Sequence, residues 1–298
     1  MIQYVLGRKR HIMQDIDKCT ALTDKLFYNE RLDKTKWETK KVNQSTFLNM
    51  GFRYANFKEC DFQHCIFVDC YFKNASFDNV KFTGCKFINC NFDEVTLVHC
   101  IFDYATFHGC YIDFDIMHYN LPTLHNLRWK MCINMGMESL RAGNTKEYQK
   151  YFFEEKRASE KHYWGLICQE NYYYKNKYGP IDRFRGFKWL ISSKFNSIVW
   201  GYGERLINVI GIAFGSIIVF AALYHNQGAV FKNNDQIVQL TALQALYHSL
   251  CSFFTLSSEI TSPLSGFARL LVPIETATGI ILMGFFVASI FRYINRRQ

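Results

Sequence analysis

Motifs that mark enzymes and metal sites are missing from this sequence of 298 residues. It contains no glycine-rich phosphate loop, no G-x-S-x-G and no H-E-x-x-H, and its nine histidines are dispersed. No C-x-x-C pair occurs among its eleven cysteines, which argues against a zinc site. We therefore expect a protein that is not an enzyme and that uses no cofactor and no metal.

A secretion signal is also missing, because the first residues, MIQYVLGRKRHIMQ, have no adequate apolar core before their charges. We therefore expect the N-terminal part to stay in the cytoplasm with reduced thiols. Disorder is excluded, because 49% of the residues are hydrophobic and 17% are aromatic.

The net charge of +9 is unevenly distributed. Residues 45–115 carry −4, whereas residues 116–205 carry +7. The basic excess comes just before the first long apolar stretch, where a segment that touches anionic lipid headgroups carries it. Nucleic-acid binding is the alternative, but the basic residues form no recognition motif, so we expect no nucleic-acid partner.

A period of five residues runs from Phe47 to Ile112. Every fifth residue is large and apolar, and a small residue such as Cys60, Cys65 or Ala75 stands two positions before most of them. Neither the helical period of 3.6 nor the strand period of 2 explains a strict five. A coil that turns a corner every five residues does, because both apolar positions then point inward and stacked coils bury a continuous core.

The units CDFQH, CIFVD, CYFKN, ASFDN, CKFIN, CNFDE and ATFHG resemble the pentapeptide-repeat family. The resemblance implies a right-handed quadrilateral parallel β-helix of about three and a half coils. It would occupy residues 45–115 and follow a cap region over residues 1–44. The seven periodic cysteines are interpreted as small buried hydrophobic residues, with a metal or redox ladder as the alternative.

Residues 116–180 change period and are predicted to form a cytoplasmic α-helical linker. Two helices are expected, with a break at Gly143–Asn144, either Asn144 or Thr145 as the N-cap of the second, and Glu147 in its first turn. The pair could dock on the end of the coil or form a bundle around a symmetry axis, and both arrangements stay open.

Residues 181–205 interleave basic and aromatic side chains, which predicts an amphipathic helix at the membrane surface. RNA binding by the same mixture is the alternative. The residues expected at the membrane interface are Lys188, Trp189, Lys194, Trp200 and Arg205.

Two apolar stretches within residues 206–298 are long enough to cross a membrane as helices, from Leu206 to Tyr224 and from Leu270 to Phe291. The amphipathic piece between them is too short and too polar to span and resembles a re-entrant segment. Lys and Arg flank the outer ends of the pair and are rare between them. We therefore expect a multi-pass protein of the inner (plasma) membrane with both termini in the cytoplasm.

This C-terminal part resembles the two-span ion-channel family to which bacterial potassium channels belong. The resemblance implies a homotetramer with a two-span α-helical membrane pore domain and a re-entrant pore helix. The matching residues are Tyr247 to Thr255 for the pore helix, Ile260 to Pro263 after the filter, Arg269, Glu275, Gly279 and Gly284.

The filter itself departs from that family. A potassium filter reads T-V-G-Y-G-D, and its glycines let carbonyl oxygens line up as ion ligands. Here the stretch is Thr255, Leu256, Ser257, Ser258 and Glu259. In a tetramer the serine hydroxyls and a ring of carboxylates would favour cations over anions without strong selection among cations.

Three residues of the second span have two interpretations each. Glu275 is either a pore-lining or gating carboxylate, or a buried group bonded to the pore helix behind the filter. Gly279 and Gly284 are either hinges of the inner helix or sites of close helix packing.

The function predicted from these features is a cation-permeable, weakly selective channel subunit. Its pentapeptide-repeat domain would regulate the pore or bind a ligand or partner protein. A non-conducting, membrane-anchored scaffold is the alternative. A third interpretation, DNA mimicry by the repeats, requires a strongly acidic surface, and the charge of −4 over residues 45–115 does not provide one.

Overall fold

The computed structural model describes residues 20–203, 205–226, 230–233, 236–256, 262–263 and 266–295. The chain forms two compact units, Met1–Phe187 and Lys188–Gln298. The first contains a parallel β-solenoid of about four turns followed by helices, and the second contains the two long apolar helices.

Each strand of the solenoid pairs in parallel with a strand 20 residues away, as in the pairing of Phe47 with Phe67 and of Phe67 with Phe87. Twenty residues are four units of five, so a coil has four sides, as predicted. Within the described residues the strands are β1 (Ala21–Thr23), β2 (Leu26–Tyr28), β3 (Lys36–Glu38), β4 (Lys41–Asn43), β5 (Thr46–Leu48), β6 (Asn56–Lys58), β7 (Asp61–Gln63), β8 (Ile66–Val68), β9 (Ser76–Asp78), β10 (Lys86–Ile88), β11 (Thr96–Val98) and β12 (Thr106–His108).

These strands form one sheet on each of three sides of the coil. Their orders are β1-β4-β7, β12-β10-β8-β5-β2 and β11-β9-β6-β3. The fourth side is a row of single bridges from Arg31 through Gly51 and Tyr71 to Asn91. All four columns repeat at the same interval, so every coil presents the same set of backbone groups to the next one.

Phenylalanine rings fill the inside of the coil. The ring centroids of Phe47 and Phe67 are 4.7 Å apart, and those of Phe67 and Phe87 are 5.0 Å apart. These spacings match the distance between paired strands, so the rings stack without bending the coil. All three side chains are buried.

The periodic cysteines are buried free thiols, which confirms their interpretation as small hydrophobic residues. Their thiols donate to carbonyl oxygens of the preceding coil, Cys60 to that of Trp37 and Cys85 to that of Phe62, at 3.3 Å in both cases. Burial raises the pKa of Cys60, and it raises the pKa of Cys100 to about 11. The thiols of Cys60 and Cys100 therefore stay protonated and unreactive at neutral pH.

The corners of the coil explain its polar positions. The residue two places after each central phenylalanine has a left-handed backbone, with φ of 51° at Asn49, 52° at Asp69 and 52° at Asn89. Asn and Asp adopt this conformation more readily than most other residues.

The solenoid begins earlier than predicted, because β1 to β4 lie inside the predicted cap region, residues 1–44. The central positions there still hold buried apolar residues such as Trp37 and Val42. The small positions, however, hold charged residues such as Lys25 and Lys40. Lys40 is accommodated beside an aromatic ring, with its Nζ 5.9 Å from the centroid of Trp37. Because charged residues occupy the small positions, the five-residue period is not apparent in the sequence of this region.

Helices follow the last coil. They are α1 (Phe114–Met117), α2 (His125–Arg141), α3 (Thr145–Cys168), α4 (Tyr172–Lys177) and α5 (Pro180–Trp200), with a 3-10 turn at His118–Asn120. The chain turns between α2 and α3 at Gly143, where φ is 76°. Asn144 Oδ1 accepts the backbone N–H of Glu147 at 3.2 Å. The break and the N-cap predicted for this pair are therefore confirmed.

The α2–α3 pair docks on the end of the solenoid, which decides between the two arrangements left open by the sequence. Among the described residues no further coil follows β12, and side chains pair with its backbone instead. Asn134 of α2 accepts the N–H of Phe107 and donates to its carbonyl oxygen, both at 2.8 Å. Glu138, one turn later, accepts the N–H of Gly109 at 2.7 Å.

Other polar side chains close the remaining sides of the last coil. The Asn120 Oδ1 atom accepts the N–H of Cys100 at 2.7 Å, and a Glu147 oxygen accepts the N–H of Phe114 at 2.6 Å. The solenoid and the helix pair also share one apolar core, which includes the fully buried Tyr151.

The second unit contains three further helices that pack on one another, α6 (Leu206–Asn226), α7 (Ala242–Phe253) and α8 (Gly266–Asn295). Three strands, β13 (Val230–Asn233), β14 (Gln236–Gln239) and β15 (Ser262–Pro263), form an antiparallel sheet in the order β14-β13-β15. The sequence did not predict this sheet. It joins the segment between α6 and α7 to the segment between α7 and α8.

Substitution of Asn134 tests how the solenoid is terminated. Asn134→Ala leaves the N–H and the carbonyl oxygen of Phe107 without their partner, and we expect a loss of about 2 kcal/mol of unfolding free energy. Thermal unfolding of the full chain measures the effect. Lys130→Ala, at an exposed position of the same helix, is the control and should leave the transition unchanged. Equal transitions for both variants would contradict the role of Asn134.

His162 of α3 lies inside a cluster of aromatic rings. It is 5% exposed, its Nδ1 is 3.2 Å from the hydroxyl of Tyr174, and its ring lies against those of Trp129 and Tyr178. Burial is the main reason that the pKa of His162 is lowered from 6.5, and the charge of His125 adds to it.

The lowered pKa predicts a loss of stability in acid. Below pH 6.5, the ordinary pKa of histidine, the unfolded chain binds a proton that the buried ring resists, so stability falls as the pH falls. We expect hydrogen exchange in α3 and α4 to accelerate between about pH 7 and pH 5, after correction for intrinsic rates. His162→Gln should weaken this dependence, whereas His99→Gln on the solenoid surface should not. An unchanged pH profile in His162→Gln would disprove the assignment.

Candidate functional site

Two helices of the second unit have the length and composition of membrane spans, over Leu206–Asn226 and Arg269–Arg292. In each, 17% of the apolar window is buried, so most of their apolar surface lies open in the single chain. Ile207, Phe214 and Val287 are examples of their exposed side chains. The core helix of a soluble protein would be mostly buried.

The short helix α7 lies between these two in sequence and has defined ends. At its start, the Gln244 side chain accepts the N–H of Thr241 at 3.0 Å. At its end, the N–H of Leu256 donates to the carbonyl of Cys251 at 2.8 Å, and Thr255 is left-handed with φ of 58°. This is a Schellman termination with threonine in place of the usual glycine.

The predicted filter therefore begins at the end of α7. Thr255 and Leu256 form the C-terminal turn just described. The other three predicted filter residues, Ser257, Ser258 and Glu259, lie outside the described residues.

The amphipathicity of α7 is inverted relative to a helix on a water-soluble protein. Its polar residues His248, Ser249 and Ser252 are buried, whereas Leu243 and Leu246 are exposed. Three apolar residues of the helix are buried with these polar groups, and the leucines face outward.

Glu275 joins all three helices of the unit. Its side chain is completely buried. The Tyr224 hydroxyl of α6 donates to Glu275 Oε2 at 2.7 Å, and the Ser249 hydroxyl of α7 is hydrogen-bonded to Oε1. Glu275 is thus a buried group bonded to a hydroxyl of α7, as in one of its two interpretations, whereas its position relative to the filter lies outside the described residues. Its assignment to a gate stays a prediction.

The two predicted hinge glycines have different surroundings. A Cβ atom at Gly279 would lie closer to the carbonyl oxygen of Phe253 than any van der Waals contact allows, so the absence of a side chain there brings the end of α7 against α8. At Gly284 no atom of the described residues lies within 4 Å of such a Cβ. Close packing accounts for Gly279 in this unit, and the hinge role of both glycines stays a prediction.

Four of the predicted membrane-interface residues lie on α5, on different faces, and Arg205 lies between α5 and α6. Lys188, Lys194 and Arg205 are exposed, whereas Trp189 is half-buried. Trp200 is also half-buried, and its ring lies 5.0 Å from that of Phe285 in α8.

The exposed apolar side chains of α5 include Ile191, Phe195 and Ile198, which the sequence prediction did not name. Their spacing of four and three residues places them on one side of the helix. This spacing could have been read directly from the sequence.

The described residues of this unit contain no candidate metal or cofactor site. A cavity of about 200 Å³ between α6, α7 and α8 is lined by apolar side chains such as Val209, Phe253 and Leu282. In the part of the chain that the structure describes, no cluster of three His, Cys, Asp or Glu residues could bind a metal ion.

Comparison with known proteins identifies the repeats of the first unit. Residues 55–93 and 81–113 match the family of pentapeptide repeats, with eight copies. The N-terminal domain is a pentapeptide-repeat β-solenoid. No curated protein matches the chain.

Three solved structures are similar to about a third of this chain. A trypsin-treated QnrB1, a plasmid-mediated fluoroquinolone resistance protein, is 22% identical with a TM-score of 0.20, over 31% of this chain and 50% of that one. HetL, a pentapeptide repeat protein involved in heterocyst differentiation regulation from the cyanobacterium Nostoc sp. strain PCC 7120, is 15% identical with a TM-score of 0.18, over 38% and 48%.

Rfr23 from the cyanobacterium Cyanothece 51142 is 10% identical with a TM-score of 0.17, over 37% of this chain and 94% of that one. The present chain thus spans about half the length of the QnrB1 and HetL structures.

Alanine substitutions at Gly279 and Gly284 test whether α7 packs closely against α8 at Gly279 and leaves open space at Gly284. Gly279→Ala forces the end of α7 away from α8, and we expect a loss of about 1–3 kcal/mol. Gly284→Ala is the matched control and should leave the melting temperature unchanged or raise it, because alanine favours the helix more than glycine does. Thermal unfolding in detergent measures both. A Gly279→Ala variant as stable as Gly284→Ala would refute the close contact.

Proposed function

We propose that the protein is a subunit of a tetrameric membrane ion channel that conducts cations with weak selectivity. Its pentapeptide-repeat domain would regulate the pore or bind a ligand or partner protein in the cytoplasm. The pore would be built from α6 and α8 as spans and from α7 as the pore helix, in the inner membrane and with both termini in the cytoplasm.

The inverted amphipathicity of α7 carries this proposal. In water, a helix that buries His248, Ser249 and Ser252 and exposes leucines is unfavourable, because its apolar outer face stays in contact with water. In a membrane the same arrangement is favourable, because lipid or a neighbouring subunit covers the leucines and the Ser249 hydroxyl bonds inside the unit. The exposed apolar surfaces of α6 and α8 support the same environment.

The position of the α7 C-terminus supports cation conduction. The contact at Gly279 holds this helix end against α8, just before the predicted filter. The C-terminus of a helix carries a partial negative charge from its aligned peptide dipoles, which attracts cations. The ring of Glu259 carboxylates expected in a tetramer would add to this attraction.

The surface of the solenoid supports a docking role for the repeats. Leu48, Val68 and Ile88 stand at equivalent outward positions of β5, β8 and β10 and are in register with one another. All three are half-buried, so they form an apolar row on the surface of the coil. Such a row is suited to contact with a protein partner.

Recordings from planar bilayers test the proposed function. The full-length protein under a KCl gradient should give currents that reverse close to the equilibrium potential of potassium, with little discrimination between potassium and sodium. Glu259→Gln should reduce the preference for cations, and Asp235→Asn, a matched loss of one carboxylate between the two spans, should not.

A reversal potential displaced toward chloride would contradict cation conduction. A complete absence of current from correctly assembled protein would favour the alternative, a membrane-anchored scaffold that acts through the repeats.

A further inference from the structure

The turn between α5 and α6 has an unusual backbone. Gly201, Tyr202 and Gly203 all have positive φ, of 57°, 58° and 81°. Residues other than glycine adopt the left-handed conformation as isolated exceptions, and three in succession require support from their surroundings. We call residues 201–203 the left-handed turn.

Side chains from two helices of the second unit hold the left-handed turn. The Tyr202 hydroxyl lies 2.6 Å from Ser193 Oγ of α5. Arg292, close to the C-terminal end of α8, donates from Nη1 to the carbonyl oxygen of Tyr202 at 2.7 Å. A Cβ atom at Gly203 would collide with the same guanidinium group, so the absence of a side chain at Gly203 leaves room for Arg292.

The same end of α8 contacts α5 through an apolar cluster. Val199 of α5 and Leu282 of α8 share this cluster with Phe253, the last residue of α7. Trp200 also lies against Phe285. The left-handed turn, the end of α7 and the C-terminal half of α8 therefore form a continuous set of contacts.

We propose that Arg292 is a positioning residue that fixes the C-terminal end of α8 to the left-handed turn and thereby controls opening of the pore. This inference rests on the proposed channel function. Arg292 does not touch a permeating ion; it acts on α8 through the carbonyl oxygen of Tyr202. A charged donor is suited to this role, because its hydrogen bond is stronger than one between neutral groups.

The hydrogen bond between Arg292 and Tyr202 connects α5 to the pore through α8. Ile191, Phe195 and Ile198 form an exposed apolar row on α5, and Lys188 and Lys194 are exposed beside it. This arrangement is suited to a lipid surface. A displacement of α5 along that surface moves Tyr202, and Arg292 transmits the movement to α8.

Substitution of Arg292 tests the proposal by two independent measurements. Arg292→Gln removes the charged donor, whereas Arg292→Lys keeps one. Arg269→Gln, the same change near the opposite end of α8, is the matched control. In planar bilayers we expect Arg292→Gln to shift the open-to-closed ratio about tenfold, with the reversal potential unchanged, and Arg292→Lys to restore most of the original ratio.

Hydrogen exchange of the full-length protein in lipid nanodiscs supplies the measurement that does not depend on current. Arg292→Gln should accelerate exchange in peptides that cover Tyr202, and Arg269→Gln should not. Unchanged exchange would show that this hydrogen bond is absent and would overturn the proposal. Accelerated exchange with an unchanged open-to-closed ratio would show a purely structural contact and would overturn the control of opening.

A change in reversal potential with Arg292→Gln would place this residue in the ion path instead and would also overturn the proposal. If the unsubstituted protein carries no current, the channel function fails and the control of opening fails with it. The exchange measurement then still decides whether Arg292 fixes the turn.

Discussion

Backbone groups at the edge of a strand need partners, and this requirement organises the first unit. Inside the solenoid each coil supplies partners for the next. The last described coil has no following coil to pair with, and side chains of the helices form these hydrogen bonds instead. Asn134 makes both of the bonds that a neighbouring strand would make with Phe107. The helix pair is therefore attached by hydrogen bonds of fixed geometry as well as by apolar contact, and its orientation on the solenoid is defined.

The second unit meets a related requirement at a buried carboxylate. The carboxylate of Glu275 would be costly inside a membrane if it stood alone. Tyr224 and Ser249 provide its partners, so one buried group fixes the mutual positions of α6, α7 and α8. The polar side of α7 is thereby used inside the unit, which leaves its leucines for the surroundings.

The features that repeat or alternate could be predicted from the sequence. The five-residue period gave the solenoid, the apolar stretches gave α6 and α8, and the Gly143–Asn144 pair gave the break between α2 and α3. The start of the solenoid was misplaced because Lys25 and Lys40 occupy positions that are small elsewhere. The docking of α2 could not be predicted, since a single Asn134 facing a strand edge leaves no periodic signal.

For the candidate site, the sequence selected Glu275 without its partners, because Tyr224 and Ser249 are far from it in the chain.

The strict interval of the coil has a consequence for how such a domain can change in length. Insertion of one complete coil would move the docked helices along the solenoid axis by about 4.8 Å and leave them over the same side. Insertion of a single five-residue unit would instead carry them a quarter of the way around the axis. The position of the docked helices can therefore change only in discrete steps. Whole coils change their distance along the axis, and single units change the direction in which they face.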